Sequence, residues 1–527
     1  MTSMDRKWWT LTSVSVAIFM LILDITVVNV ALPDIQRALH SSFGDLQWVV
    51  DAYALTLAAF LLTSGVAGDM FGRRGVFAGG LALFSAASLT CGLSTSSLML
   101  NLSRAVQGVG GAIMFATSLA LIAQAFHGRD RGIAFGVYGA INGAAVAVGP
   151  LVGGAITSSI GWRWIFFVNV PIGVVAILVT LLRVEESREP NRRRIDWIGF
   201  VTFSAALFML VFALVRGNDS GWASSEIIGL LIGSGAFLAG FLVAEHRQAE
   251  PMLDLSLFRR PAVIGVSAVA FALSASLFAL FLYLTLYIQD GLGYGPLAAG
   301  LRFLPITTLA FVVAPIAGRL TVRVPIRTLL GVGMALVSTS LFLMGTTSPA
   351  TGWSHLLAGF VIGGIGVGLV NPPLASAAIG VVPPNRSGMA SGINSTFRQV
   401  GIATGIAGLG AVFQSQMTHR VTTALDATAA GRVIVAHGGG ALAAAVTSGE
   451  VTTLSRGLPP DLRTVLLHAY RVGFSGSLND LADICGAVAL LGALLAFACV
   501  RRRDFVVAGP ASGPGTGGEP TSPALAR

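Results

Sequence analysis

The sequence predicts an all-α polytopic membrane protein with about fourteen transmembrane helices. Three observations lead there. Of the 527 residues, 54% are hydrophobic and only 11% charged, against about 25% charged in a soluble domain. The apolar residues gather in runs of roughly 20, the length needed to cross a hydrocarbon core ~30 Å thick. The arginines fall in short segments between alternate runs, as the positive-inside rule requires.

In order, the runs cover roughly 11–32, 47–66, 76–94, 98–123, 133–156, 164–182, 196–215, 225–244, 263–288, 297–318, 328–346, 354–379, 389–413 and 478–500. The first ends at Pro33 and is too long for a signal-peptide core, so it reads as a spanning helix. An even count puts both termini on one side. With the N-terminus inside, the inner segments hold about 22 basic residues, among them Arg6, Arg73, Arg74, Arg259 and Arg319, against about 4 in the short outer loops. Both termini are therefore expected in the cytoplasm; the arginine-rich, lysine-poor composition with abundant Ala, Gly and Val suggests a high-GC bacterium, and the expected location is its inner membrane. The segment 414–477 is expected to be a long extracellular loop, poorly ordered, with LPPDLRTVLLHAYRVGF as a short amphipathic helix on the outer face. The Gly/Pro/Ser-rich residues 501–527 read as a disordered cytoplasmic tail.

Composition also excludes. A net charge of +9 could suggest nucleic acid, but the arginine positions are accounted for by orientation, and the expected surrounding partner is the lipid bilayer. Lys7 is the sole lysine, so no phosphate-cradling Gly-rich loop with its lysine is present. Cys91, Cys485 and Cys499 lie in apolar runs without disulfide or metal spacing. No cofactor, metal site or enzyme activity is expected. A monomer is expected, and no adaptor partner is legible.

The chain repeats itself. At an offset of 256, Gly108 falls on Gly364, Gly110 on Gly366, Gly132 on Gly388, Gly136 on Gly392 and Gly149 on Gly405. Equivalent halves of this kind place a binding site at their interface. The expected organisation is a cytoplasmic N-terminus 1–10, a six-helix bundle 11–183, two linker helices with their loops 184–262, and a second bundle 263–500.

Asp24 and Arg104 sit inside apolar runs, both roughly 10 Å below the same membrane face at ~1.5 Å per residue. A charge at such depth costs about 2.5–3.5 kcal/mol or more, so ionisable residues there face a protein interior or a wet cavity. Asp24 is the first candidate for a proton-carrying or cation-recognising carboxylate, with Arg104 as its partner. A structural hydrogen bond from Asp24 to Thr26 or Asn29 is the plainer alternative. Asp51, Asp290, Asp480 and Asp483 lie near run ends and read as interface residues. Asp51, followed directly by apolar sequence, is also kept as a second proton site. Arg398 aligns with Asn142 in the repeat and pairs with an acid, binds an anionic group or braces two helices. Asn29, Gln107, Asn142, Tyr283, Gln289 and Asn371 are the remaining cavity candidates.

Motifs narrow the reading. GVAGDMFGRRG (65–75) resembles the loop motif of the major facilitator superfamily, with Gly65, Asp69, Gly72, Arg73 and Arg74 in register and Met70 where that family often has arginine. An acid and two arginines on such a turn can latch neighbouring helix ends. A decayed copy, GRLTVRVPIR (318–327), carries Val322 in place of the acid. LDITVVNVALP (23–33) and LNLSRAVQGVGGA (100–112) resemble the first- and fourth-helix motifs of the fourteen-helix drug:proton antiporters of the EmrB/QacA type. GAAVAVGPLVGG (143–154) resembles their fifth-helix motif through Gly143, Gly149, Pro150, Gly153 and Gly154. WRWIFFVNVPIG (162–173) and NSTFRQVGIATG (394–405) are also similar to this branch.

The resemblance implies two pseudo-symmetric six-helix bundles with two added central helices. It implies proton-driven export of hydrophobic, cationic or zwitterionic drug-like molecules by alternating access, with the proton gradient as energy source. On that expectation, protonation of Asp24 and drug binding exclude each other. An exporter of one endogenous metabolite, antibiotic or lipid would carry the same motifs. A non-transporting membrane sensor is the reading from a different class.

Overall fold

The structure, a computed structural model, describes residues 6–504 apart from 127, 188–195, 249–250, 252, 322, 382–386, 437–454, 456–457 and 502–503. The expected tail and Val322 lie outside the described residues. Everything regular in the described chain is helical. The long helices are α1 (Arg6–Leu39), α2 (Phe43–Phe71), α3 (Arg73–Gly92), α4 (Ser97–Ala125), α5 (Gly128–Ser159), α6 (Asn169–Arg183) and α7 (Trp197–Ser220). They continue with α8 (Ser225–Arg247), α9 (Pro261–Gly291), α10 (Pro296–Leu320), α11 (Ile326–Met344), α12 (Leu357–Gly380), α13 (Ser387–Asp426) and α14 (Pro460–Cys499). Local chemistry sets several starts. Ser42 and Asp45 form a reciprocal capping box on α2, and Ser96, Asp196 and Ser224 cap α4, α7 and α8.

Thirteen helices are long and apolar enough to cross a membrane among the described residues. The expected thirteenth span, α13, is the one not included; it carries Arg398 and the amides Asn394 and Gln399 along its inner half.

The repeat is physical. In the first half α4 packs on α2 and α3, α3 on α6, and α1 on α5; in the second, α12 packs on α10 and α11, α11 on α14, and α9 on α13. Three of the five offset glycine pairs serve equivalent contacts, and Gly136 and Gly392 do not. A Cβ on Gly108 would strike the Tyr53 carbonyl of α2, and one on Gly364 the Ile306 carbonyl of α10. Gly110 meets the α3 backbone at Phe84, and Gly366 meets the α11 backbone at Gly333. Gly149 meets Thr26 of α1, and Gly405 meets Ala275 of α9. Small residues let these backbones approach where lipid supplies no hydrophobic drive. The Gly132–Gly388 pair falls on side chains outside the described set.

The halves meet along two seams, α5 on α10 and α2 on α13. Helices α7 and α8 pack on each other, and α7 leans on α2 and α13.

One expectation fails here. Residues 414–477 are not mainly a loop, because α13 runs on to Asp426 and α14 begins at Pro460, each helix being 40 residues long. The LPPDLRTVLLHAYRVGF segment stands as the first turns of α14 instead of lying on a surface. Leu466, Ala469, Tyr470 and Phe474 are buried in the main apolar cluster. Arg420 and Asp480 join the two extended helices at 2.7 Å. Polar residues along these turns hide the helices from a hydropathy count.

Candidate functional site

A cavity of about 2560 Å³ lies between the halves. Its walls come from Leu61–Asp69 of α2, Phe115–Ala123 of α4, Gly136–Pro150 of α5, Phe303–Gly318 of α10 and residues 392–402 of α13. The α2, α4 and α13 walls lie toward the helix ends shared with the α2–α3 turn, and the α5 and α10 walls run from that end to past mid-helix. Asp69, Arg73, Asp196, Glu245, Asp254 and Arg259 rim that end. The opposite end is closed by backbone contact. A Cβ on Gly300 of α10 would overlap the Pro150 carbonyl, and one on Gly154 of α5 the Pro296 carbonyl. Leu297 N donates to Ser158 Oγ at 3.0 Å across the same seam. Gly149 and Gly153 press α5 onto Thr26 and Val27 of α1, and a Cβ on Gly143 would lie 3.5 Å from Phe311. The Gly/Pro motif of α5 thus sets one helix against both halves.

Asp24 is outside this cavity. Ile22, Ile25, Thr26 and Asn29 turn the wet face of α1 toward it, and at ~100° per residue Asp24 stands nearly opposite Ile22 and Thr26. Its carboxylate is packed against α4 and α6. Arg104 Nη1 reaches Asp24 Oδ2 at 2.5 Å, with the two side chains 1% and 0% exposed. Gln107 Nε2 donates to Asp24 Oδ1 at 3.0 Å, and Asn169 Nδ2 to the same oxygen at 3.1 Å. Arg104 also donates to Gln107 Oε1 at 2.7 Å and, through Nε, to the Val49 carbonyl of α2 at 3.0 Å. The Tyr53 ring lies 4.2 Å from its guanidinium carbon. Four helices, α1, α2, α4 and α6, are therefore tied through one ion pair. Removing either member of a buried pair of this kind costs about 3–5 kcal/mol.

The structure corrects several expectations. Thr26 bonds the carbonyls of Ile22 and Leu23, not Asp24. Direct competition between drug and proton at Asp24 is not available, because α1 stands between them. Gln107 belongs to the charge cluster, not the cavity wall. Tyr283 donates to the Ile406 carbonyl at 2.7 Å, and Gln289 to the Val30 carbonyl at 2.7 Å; both brace helices and neither lines the cavity. Their helix ends toward the closed side, where the halves touch. Asn29, Asn142, Asn371 and Arg398 do line it.

Asp51 is not an interface residue. It is 0% exposed, and neither carboxylate oxygen has a hydrogen-bond partner. Its helix α2 is covered at that level by the second half, whose approach no local pattern announces.

The turn motif forms a latch on three segments. Arg73 holds Asp69 at 2.8 Å. Glu186, beyond α6, accepts from Arg74 N at 3.0 Å and Gly75 N at 3.2 Å, and pairs with the Arg74 guanidinium at 3.7 Å. Gly72 turns the chain at φ 109°, a region that favours glycine. Gly65 lines the cavity. Glu186 and Asn169 were missed in the sequence; Asn169 stood as a lone amide in the apolar WRWIFFVNVPIG run.

The chain matches the family model described as Major Facilitator Superfamily over residues 14–406. It is 36% identical to the multidrug resistance protein Stp of Mycobacterium tuberculosis over 410 residues, 78% of this chain and 76% of that one. It is 33% identical to the tetracenomycin C resistance and export protein of Streptomyces glaucescens over 413 residues, 78% of this chain and 77% of the relative. Among solved structures, a bacterial homologue of the human lysosomal transporter Spinster superposes with a TM-score of 0.60 at 18% identity, covering 96% of this chain and all of that one. That likeness concerns the fold.

Proposed function

Because the chain belongs to the Major Facilitator Superfamily and is a multi-pass membrane transporter, not an enzyme, we propose that it exports hydrophobic drug-like molecules across the bacterial cytoplasmic membrane in exchange for protons. The relatives named for drug resistance and export support the direction. The observation that carries proton coupling is the Asp24–Arg104 pair, buried behind a cavity-lining helix.

The chemistry follows from that placement. With Asp24 ionised, the pair is neutral overall and ties α1 to α4, α2 and α6. A proton on Asp24 leaves Arg104 as a buried cation without its counter-charge, held only by Gln107, the Val49 carbonyl and the Tyr53 ring, a costly state in low dielectric. The cluster relieves that cost by rearranging, and α1 moves with it. Since α1 forms cavity wall on its other face, proton loading on one side becomes a change in cavity access on the other. This coupling acts through the helix, so substrate and proton need no shared atom. The α5–α10 and α2–α13 seams are the surfaces about which the halves rock. Both termini and the α2–α3 latch then lie in the cytoplasm, and the cavity opens inward.

Efflux from pump-deficient cells loaded with neutral, cationic and anionic lipophilic dyes tests the reading. Uncoupler-sensitive efflux of at least one dye class is expected. No efflux of any dye, with protein present in the membrane, contradicts broad drug export and directs the search to a single endogenous metabolite.

A further inference from the structure

The cavity carries its charge in an unexpected place. Asp69, Arg73, Asp196, Glu245, His246, Asp254 and Arg259 all lie at its rim, at helix ends or in connectors. Arg398 lies eleven residues inside α13 from Ser387, ~17 Å along the helix axis. It is the one charged side chain at that depth among the described lining residues. No described carboxylate lies within ion-pair reach of it; its recorded neighbour is the Phe278 ring, 5.9 Å from the guanidinium carbon.

A guanidinium stays charged under all physiological conditions. At bilayer depth it requires a counter-charge or water. The surroundings suit a specific cargo. Phe278, Phe281 and Phe303 form a continuous ring path on the same wall, with centroids 6.4 and 5.1 Å apart. Asn371 and Asn394 line the cavity, and the amide oxygen of each has no hydrogen-bond partner. Asn394 precedes Arg398 by one helical turn and so shares its face.

We propose that Arg398 is the specificity determinant of the cavity and that the preferred substrates are planar aromatic molecules bearing an acidic oxygen, a carboxylate or an ionised phenol or enol. The rings take the aromatic body, Arg398 takes the anionic oxygen, and the two amides take neighbouring hydroxyl or carbonyl groups. This rests on the export reading above but reverses the sign expected from Asp24, which is sealed from the cavity.

Fluorescein and rhodamine 123 share a xanthene core and differ in charge, anionic against cationic. Their binding to the purified full-length protein, followed by fluorescence anisotropy, tests the assignment. Fluorescein should bind roughly tenfold or more tightly than rhodamine 123. Arg398→Gln should cost fluorescein roughly tenfold or more, the scale of a charge-assisted hydrogen bond, without weakening rhodamine 123. Arg398→Lys should restore part of the loss. Asn394→Asp, which sets an acid one turn from Arg398, should weaken fluorescein and strengthen rhodamine 123 while leaving the arginine in place. Equal affinities, a preference for rhodamine 123, unchanged fluorescein binding in Arg398→Gln, or no binding of either dye would each overturn the proposal. Export is judged separately: uncoupler-sensitive efflux of cationic dyes alone would uphold an exporter and reject this substrate class.

Discussion

Asp24 and Arg104 meet at 2.5 Å on the side of α1 that faces away from the cavity. The relation separates two roles often assigned to one carboxylate. In the proposed coupling Asp24 carries the proton, and the opposite face of its helix, which lines the cavity, responds.

The pair should respond non-additively to substitution. Arg104→Leu leaves Asp24 buried with only amide donors and should destabilise the protein by about 3–5 kcal/mol. Asp24→Asn keeps the shape and two amide contacts, yet leaves Arg104 uncompensated, and should also lower the melting temperature. The double variant Asp24→Asn/Arg104→Leu should recover much of the loss. Thermal unfolding of the purified proteins checks this. Additive losses would mean that the two residues do not act as a pair.

Asp51 offers the opposite case. Its carboxylate is fully buried without a partner for either oxygen. Replacing it by the isosteric Asn removes an unsatisfied charge site, so the Asp51→Asn protein should melt at or above the parent temperature. As a second proton site, it should lose gradient-driven efflux in the same variant. Full efflux with unchanged stability would leave Asp51 without a role in coupling.

The closed end of the cavity depends on Gly300, where a Cβ would overlap the Pro150 carbonyl. The obstacle is backbone and cannot turn aside. Gly300→Ala should therefore spread α5 from α10 and cut efflux severalfold. A short bifunctional reagent joining cysteines introduced at Ser158 and Leu297 reports the spacing. Its yield should fall in the Gly300→Ala background and should be unchanged if the seam is not a moving surface.

Gly72 turns between α2 and α3 at φ 109°, and a Cβ there would lie 2.8 Å from the Glu186 side chain. Gly72→Ala should cost about 1–3 kcal/mol from backbone strain and loosen the Glu186 latch. Limited proteolysis of the inner loops should accelerate. Glu186→Gln, which keeps the turn, should show the latch loss with less loss of stability.

The sequence carried some of this plainly and some not at all. The depth of Asp24 and Arg104 follows from counting residues along apolar runs, and three of the five offset glycine pairs announce helix contacts that the structure matches between the halves. What failed was tertiary. Counting residues gives the depth of Asp24 but not the way it faces, so a protein interior and a wet cavity both fit it until the neighbours of α1 are placed. Gln107 and Asn169 are neutral amides whose meaning depends on a neighbour from another helix. Tyr283 and Gln289 looked like cavity residues because amphipathic side chains suit a wet wall as well as a helix brace. The outer turns of α13 and α14 are polar, and hydropathy could not see that Arg420 and Asp480 hold them together.

Asp24 is the proposed carrier of the exchanged proton. Proteoliposomes with a trapped pH dye, given an exported substrate, measure it most directly. The wild-type protein should show proton movement opposite to substrate, and Asp24→Asn should bind substrate yet move no protons. Substrate-driven proton movement that survives Asp24→Asn would contradict the account.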